Sequence, residues 1–219
     1  DDTLSGFYGA NASSDTGNDK LYGQAGDDTL SGTAGDNILD GGTGSDTIYT
    51  GQGSDTIILR AGDGGSELST ADIIKDFTNA SDIIGLDNGL QYDELTIAQG
   101  TDDHSNDTII SITSSSEYLA ILEGITASDI NYFDIVSIAT EAQTLTGTSG
   151  DDVLLGSYGE DSVTTGAGSD TIHTFNGDDD ITVNGAGNKT IDGGAGTDSV
   201  TIDISGNSNL SSYSIKTVD

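Results

Sequence analysis

Cysteine, proline, methionine and tryptophan are all missing from this chain, and 5 basic side chains face 38 acidic ones. Without cysteine there are no disulfides and no thiolate metal ligands. The shortage of Lys and Arg argues against nucleic acid as a partner, because phosphate binding needs clustered positive charge. Apolar runs such as Tyr118–Leu122 fall far short of the ~18 residues of a transmembrane helix, so no transmembrane segment is expected. Signal-peptide and lipidation motifs are also missing. Asp1-Asp2-Thr3-Leu4 reads as the tail of a truncated pattern, which leads us to expect a piece of a longer protein.

What the chain does have is glycine, 32 residues of 219, about twice the usual share, and a formal charge of -33. So much glycine points to tight turns rather than helices. So acidic a chain either stays disordered or folds with something cationic to neutralise it.

A nine-residue period appears twice. From Ser14 it runs SDTGNDKLY, GQAGDDTLS, GTAGDNILD, GGTGSDTIY, TGQGSDTII. From Gly147 it runs GTSGDDVLL, GSYGEDSVT, TGAGSDTIH, TFNGDDDIT and, after the extra residue Val183, NGAGNKTID and GGAGTDSVT. Position four is Gly, position six nearly always Asp, and position eight Leu, Ile or Val. Six turn-forming residues followed by three strand-forming ones predict a flattened coil of two units per revolution, stacked at the strand spacing of ~4.8 Å.

That geometry places every second turn on one edge. The expected stacks are Asp19, Asn37, Asp55 and Asp28, Asp46 in the first array, then Asp152, Asp170, Lys189 and Asp161, Asp179, Asp198 in the second. Carboxylates one strand spacing apart repel by ~1 kcal/mol even in water. A cation is therefore required. With no disulfide available, it is also the remaining staple for such small repeats. Carboxylates and backbone carbonyls are the only candidate ligands, and flexible oxygen-rich loops suit Ca²⁺, which takes 6–8 oxygens, better than Mg²⁺.

These eleven units resemble the RTX, or hemolysin-type, calcium-binding repeats. The resemblance implies an all-β fold, a parallel β-roll in two arrays, that binds several Ca²⁺ ions between stacked turns. By position, the ligating side chains it implies are Asp19, Asp28, Asp46, Asp55, Asp152, Asp161, Asp170, Asp179 and Asp198. Asn37 offers an oxygen without charge, and Lys189 offers no oxygen, so its ammonium is expected where an ion would stand. The family further implies export by type I secretion, with folding outside the cell, secreted or at the cell surface.

Four segments are expected: a first array over 1–63, a β-rich connecting and capping segment over 64–143, a second array over 144–205, and the start of a further module or a fragment end over 206–219. Asn11–Ser14 disturbs the period near the start. Short β-branched runs such as Asp72–Phe77, Asp82–Leu86, Leu95–Ile97, Thr108–Ile110 and Tyr118–Leu122 predict strands that cover the open end of the first roll.

Catalytic readings find little support. Pairs such as Asp27-Asp28 and Asp151-Asp152 recur at one repeat position, as calcium turns do. His104 sits in a polar loop and His173 at an outward ninth position, so both are expected at the surface. Serine-nucleophile, zinc-helix and phosphate-loop motifs are missing. Self-processing at Asp-Pro is excluded by the lack of proline, and the second and third turn positions are too irregular for an ice-binding ladder. Tyr8, Tyr49, Tyr118 and Tyr132 are expected to pack rather than to form a carbohydrate surface. The expected function is a non-enzymatic calcium-binding structural region of a large adhesin, surface-layer protein or toxin, any cell-surface or glycan receptor being met through the parent protein. The alternative is a calcium-dependent folding or secretion module attached to a secreted protease, lipase or alginate epimerase.

Overall fold

The computed structural model describes residues 3–5, 17–203 and 213–216. The chain divides into two compact units, Asp1–Val136 and Ser137–Asp219. Within the first lie β1 (Thr3–Ser5), β2 (Lys20–Tyr22), β3 (Thr29–Ser31), β4 (Ile38–Asp40), β5 (Thr47–Tyr49) and β6 (Thr56–Leu59). They are followed by β7 (Asp72–Ile74), β8 (Ile83–Leu86), β9 (Leu95–Gln99), β10 (Thr108–Ile112), β11 (Tyr118–Leu122) and β12 (Ile135–Ser137), which straddles the division. Among the described residues the only helices are three-residue 3-10 turns.

The strands form two sheets, ordered β1-β3-β5-β7-β11-β10-β9 and β12-β8-β6-β4-β2. Odd and even repeat units thus fall on opposite sheets, as a coil of two units per revolution demands. The eighth-position residues are in register: Leu4, Leu30, Ile48 and Ile74 on one sheet, Leu21, Leu39, Ile57 and Ile84 on the other. From Leu30 to Ile84 these side chains are fully buried, while flanking residues such as Thr29, Ser31, Thr47, Tyr49 and Thr56 are at least partly exposed. Burying one such side chain contributes roughly 1.5–3 kcal/mol.

The connecting segment does more than lie over the end of the roll. β7 pairs in parallel with β5, β8 with β6, and β11 with β7, so the coil continues into it before β9 and β10 close the sheet antiparallel. One core cluster runs from Leu21 through Ile84 to Ile110, Leu119 and Ile135. The irregular stretch Asn11–Ser14 lies outside the described residues.

The second unit contains β13 (Thr144–Thr146), β14 (Val153–Ser157), β15 (Ser162–Thr164), β16 (Asp170–Phe175), β17 (Asp180–Val183), β18 (Lys189–Asp192), β19 (Ser199–Ile202) and β20 (Tyr213–Lys216). They form two four-stranded sheets, β13-β15-β17-β19 and β14-β16-β18-β20, with every pair parallel. Val163, Ile172, Ile181, Val183 and Ile191 fill its core. The extra residue Val183 is absorbed at the end of β17, where it is buried and pairs with Ile202.

In most described turns the second position has left-handed backbone, with Thr148 and Ser157 the exceptions, and Thr33 holds it at φ 68° with its hydroxyl buried and unpaired. A β-branched residue there costs about 1–2 kcal/mol, more than the roughly 0.5–1 kcal/mol of chain entropy that glycine loses on folding. Thr33→Gly is therefore expected to raise the melting temperature of the first unit by about 2–4 °C. Calorimetry in calcium checks this, and a lower melting point would show that the turn is unstrained.

Candidate metal centre

The sixth-position side chains stack in the expected order, and the hydrogen bonds show how. Most reach back one coil and accept the backbone N–H of the counterpart there. Asp28 N donates to Asp46 Oδ1 at 2.7 Å, Asn37 N to Asp55 Oδ1 at 2.8 Å and Asp161 N to Asp179 Oδ1 at 2.7 Å. Asp152 N donates to Asp170 Oδ1 at 3.1 Å and Asp179 N to Asp198 Oδ1 at 3.2 Å. A second ladder runs the other way at position five. Ser45 N donates to Asp27 Oδ1, Ser54 N to Asp36 Oδ1 and Ser169 N to Asp151 Oδ1, at 2.7–3.0 Å. The acidic pairs are thus two opposed ladders tying coil to coil.

One oxygen of Asp46, Asp55, Asp161, Asp170, Asp179 and Asp198 is used in this way, and the second carboxylate oxygen decides what each turn can hold. In Asp19, Asp46 and Asp55 the second oxygen, Oδ2, is buried and meets no hydrogen-bond donor. Leaving a buried carboxylate oxygen unpaired is costly, so a proton or a cation belongs beside it. The space for one comes from glycine. A Cβ built on first-position Gly23 would lie 2.5 Å from Gly41 O, one coil on, and 2.7 Å from Asp28 Oδ2. The missing side chain leaves two oxygens converging on one point.

Other turns differ. Asp152 Oδ2 accepts Thr148 N–H and Asp161 Oδ2 accepts Ser157 N–H, both at 2.7 Å, so these carboxylates are closed by local donors. Asn37, as its amide is oriented, donates from Nδ2 to Gly35 O at 2.9 Å and to Asp55 Oδ1 at 2.8 Å. Lys189 places its ammonium 2.7 Å from Asp170 Oδ2 and 2.7 Å from Gly168 O. Among the described residues no three acidic or imidazole side chains converge on one point. Backbone carbonyls must therefore supply most of any shell, and an all-oxygen shell of that kind fits calcium.

Two members of the stacks were not read from the sequence. Asp46 N donates to Asp72 Oδ1 at 2.9 Å and Asp55 N to Asp82 Oδ1 at 3.0 Å, so both stacks extend into the connecting segment. The signal was present, since Asp72-Ile73-Ile74 and Asp82-Ile83-Ile84 repeat the Asp-x-apolar of positions six to eight. Asp82 Oδ2 accepts Thr78 N–H at 2.8 Å and closes its stack. Beside this edge Arg60 spans several rungs, bonding Asp40 through two nitrogens at 2.9 and 2.7 Å and reaching Asp87 Oδ2 at 3.3 Å.

His173 departs from its surface expectation. It is partly buried, its ring packs edge-on to Phe175 at 4.0 Å, and Nδ1 lies 3.5 Å from Asp192 Oδ2. His104 is about a third exposed, with Nδ1 2.8 Å from Asp107 Oδ2. Tyr132 packs against Tyr92 and Phe133, and Tyr118 against Ala71, Ile109 and Ile121; Tyr49, against expectation, is exposed on the outer face of β5, and Tyr8 lies outside the described residues.

Burial raises the carboxyls of Asp46, Asp55 and Asp179, in the last case against the Asp161 N–H and the Thr174 hydroxyl, and it pushes Asp72 up to about 8. A carboxyl whose folded pKa exceeds its unfolded value, near 3.8, holds its proton more tightly in the fold. Its contribution to the metal-free fold is complete below 3.8 and is lost as pH rises to about 8. In metal-free buffer, lowering the pH from 8 to 5 is expected to increase β structure by circular dichroism. In calcium the midpoint should shift to higher concentration over the same range, because protons compete for the ligands. Metal-free β content that falls on acidification would contradict this.

The family model described as RTX calcium-binding nonapeptide repeat, in four copies, matches residues 11–39, 31–65, 141–172 and 155–185. The two arrays are RTX calcium-binding repeats, and the fold they form is the parallel β-roll. Among solved structures, the chain is similar to the AlgE6R3 subunit from the Azotobacter vinelandii mannuronan C5-epimerase. The match has 28% identity, covers 57% of this chain and 80% of that one, and has a TM-score of 0.40. No curated protein matches the chain.

Proposed function

We propose that the chain is a structural region of a large secreted or cell-surface protein, of adhesin, surface-layer or toxin type, that folds when calcium binds outside the cell. Asp19, Asp28, Asp46, Asp55 and Asp179 would hold the ions together with turn carbonyls. Asp152, Asp161 and Asp170, whose second oxygens already meet a donor or an ammonium, and Asn37 serve mainly to align the stacks, while Asp198 Oδ2 faces the notch of Gly193 and joins the ion-holding group. The observation that carries this reading is the buried, donor-free second oxygen of Asp19, Asp46 and Asp55 in a chain of charge -33. At a site Kd of ~10⁻⁴ M and extracellular calcium of ~10⁻³–10⁻² M, each ion stabilises the fold by about 1.4–2.7 kcal/mol. Several ions together reach the ~5–15 kcal/mol that separates folded from unfolded domains. Where calcium is scarce the same carboxylates repel and the chain stays open, which suits export before folding.

Titration calorimetry with calcium, repeated with magnesium, tests the proposal. Several ions per chain with midpoints near ~10⁻⁴–10⁻³ M for calcium, and much weaker magnesium binding, are expected. Equal affinity for the two ions would point to loose counter-ion condensation instead.

A further inference from the structure

At each place where the sixth position is not Asp, a nitrogen bridges the carbonyl of a fourth-position glycine and a carboxylate of a stacked turn. Asn37 does so between Gly35 O and Asp55 Oδ1, and Lys189 between Gly168 O and Asp170 Oδ2. The Lys189 case is the sharper one. Lysine is rarely buried, yet the side chains of Lys189 and Asp170 both have 0% exposure. The ammonium donates a hydrogen bond to Gly168 O, while its contact with Asp170 Oδ2 is close but off hydrogen-bond angle, as between ions. The register is intact, since Asp170 and Lys189 pair directly across β16 and β18 despite the inserted Val183.

From this geometry we infer that the Lys189 ammonium is a resident counter-cation standing where the repeat elsewhere calls for calcium. This rung of the second roll closes without metal, and the edge carries one ion fewer than its turns would suggest. The carbonyl and the carboxylate oxygen that the ammonium takes are the two ligand types the other turns offer. A monovalent group tethered to β18 satisfies both once the coils have stacked, so the Asp170–Lys189 rung adds no calcium requirement of its own. The inference rests on the calcium reading above.

The test counts calcium ions by calorimetry in the full chain, for the wild type, Lys189→Asp and the double variant Asp170→Asn/Lys189→Met. The double variant removes both charges together, a change that buried pairs often tolerate. One more ion than wild type is expected for Lys189→Asp, and an unchanged count for the double variant. A folded Lys189→Asp with no added ion, or a double variant that loses one, would overturn the inference. The wild type supplies a check that needs no substitution: in saturating calcium the Lys189 Nζ protons should be visible by NMR and protected from exchange. Rapid exchange with water would also overturn it. A wild type that binds no calcium is a different outcome, since it removes the calcium reading first and this inference with it.

Discussion

Gly53→Ala will cost the first unit more than about 3 kcal/mol and leave it largely unfolded in calcium levels that fold the wild type. Gly53 has φ 136°, a conformation that costs other residues about 1–3 kcal/mol. The larger part comes from stacking, because a Cβ there would overlap the carbonyl of Gly35, one coil away, and approach Asp36 Oδ1. That neighbour is backbone, so relief requires moving the whole turn of the coil below. Gly62→Ala separates the two effects: its φ is 97°, yet nothing lies within 4 Å of the added carbon. It should lose only the strain. Thermal melts of the two variants in millimolar calcium give the comparison, and equal losses would mean that the turns are not packed coil on coil.

Asp170→Ala will destabilise the second unit by about 3–5 kcal/mol, because it strands the Lys189 ammonium in a buried site with one carbonyl acceptor. Asp180, exposed on β17 of the other sheet, is the control, and its replacement should stay within about 0.5 kcal/mol. Lys189→Met added to Asp170→Ala should recover much of the loss, since the interaction energy of two residues in contact appears only when both are changed. An Asp170→Ala variant that melts like the Asp180 variant would show that the ammonium escapes to solvent.

The roll was legible because its period appears in two registers at once. The eighth-position column Leu21, Leu39, Ile57 and the sixth-position column Asp19, Asn37, Asp55 each recur at 18 residues, and the strand pairing joins them accordingly. Lys189 was legible too, as a cation where the pattern asks for a carboxylate. What escaped the count were the next rungs. Ile48 pairs with Ile74 and Ile57 with Ile84, separations of 26 and 27 residues, so insertions in the turns hide the repeat while the strand keeps its Asp-x-apolar core. His173 was misplaced for a different reason. Phe175 takes the left-handed second position where glycine is usual and packs over the imidazole, and no strand periodicity predicts a turn residue folding back. The local closure of Asp152 by Thr148 and of Asp161 by Ser157 also depends on side-chain rotamers, which spacing alone does not reveal.

Circular dichroism of the chain in chelator and then through a calcium titration tests the central claim, that buried turn oxygens need a cation before the coils can stack. The account predicts a largely disordered chain in chelator at pH 7.5. It also predicts a cooperative gain of β structure near ~10⁻⁴–10⁻³ M calcium, with magnesium far less effective. The same β content with chelator as with calcium would contradict it.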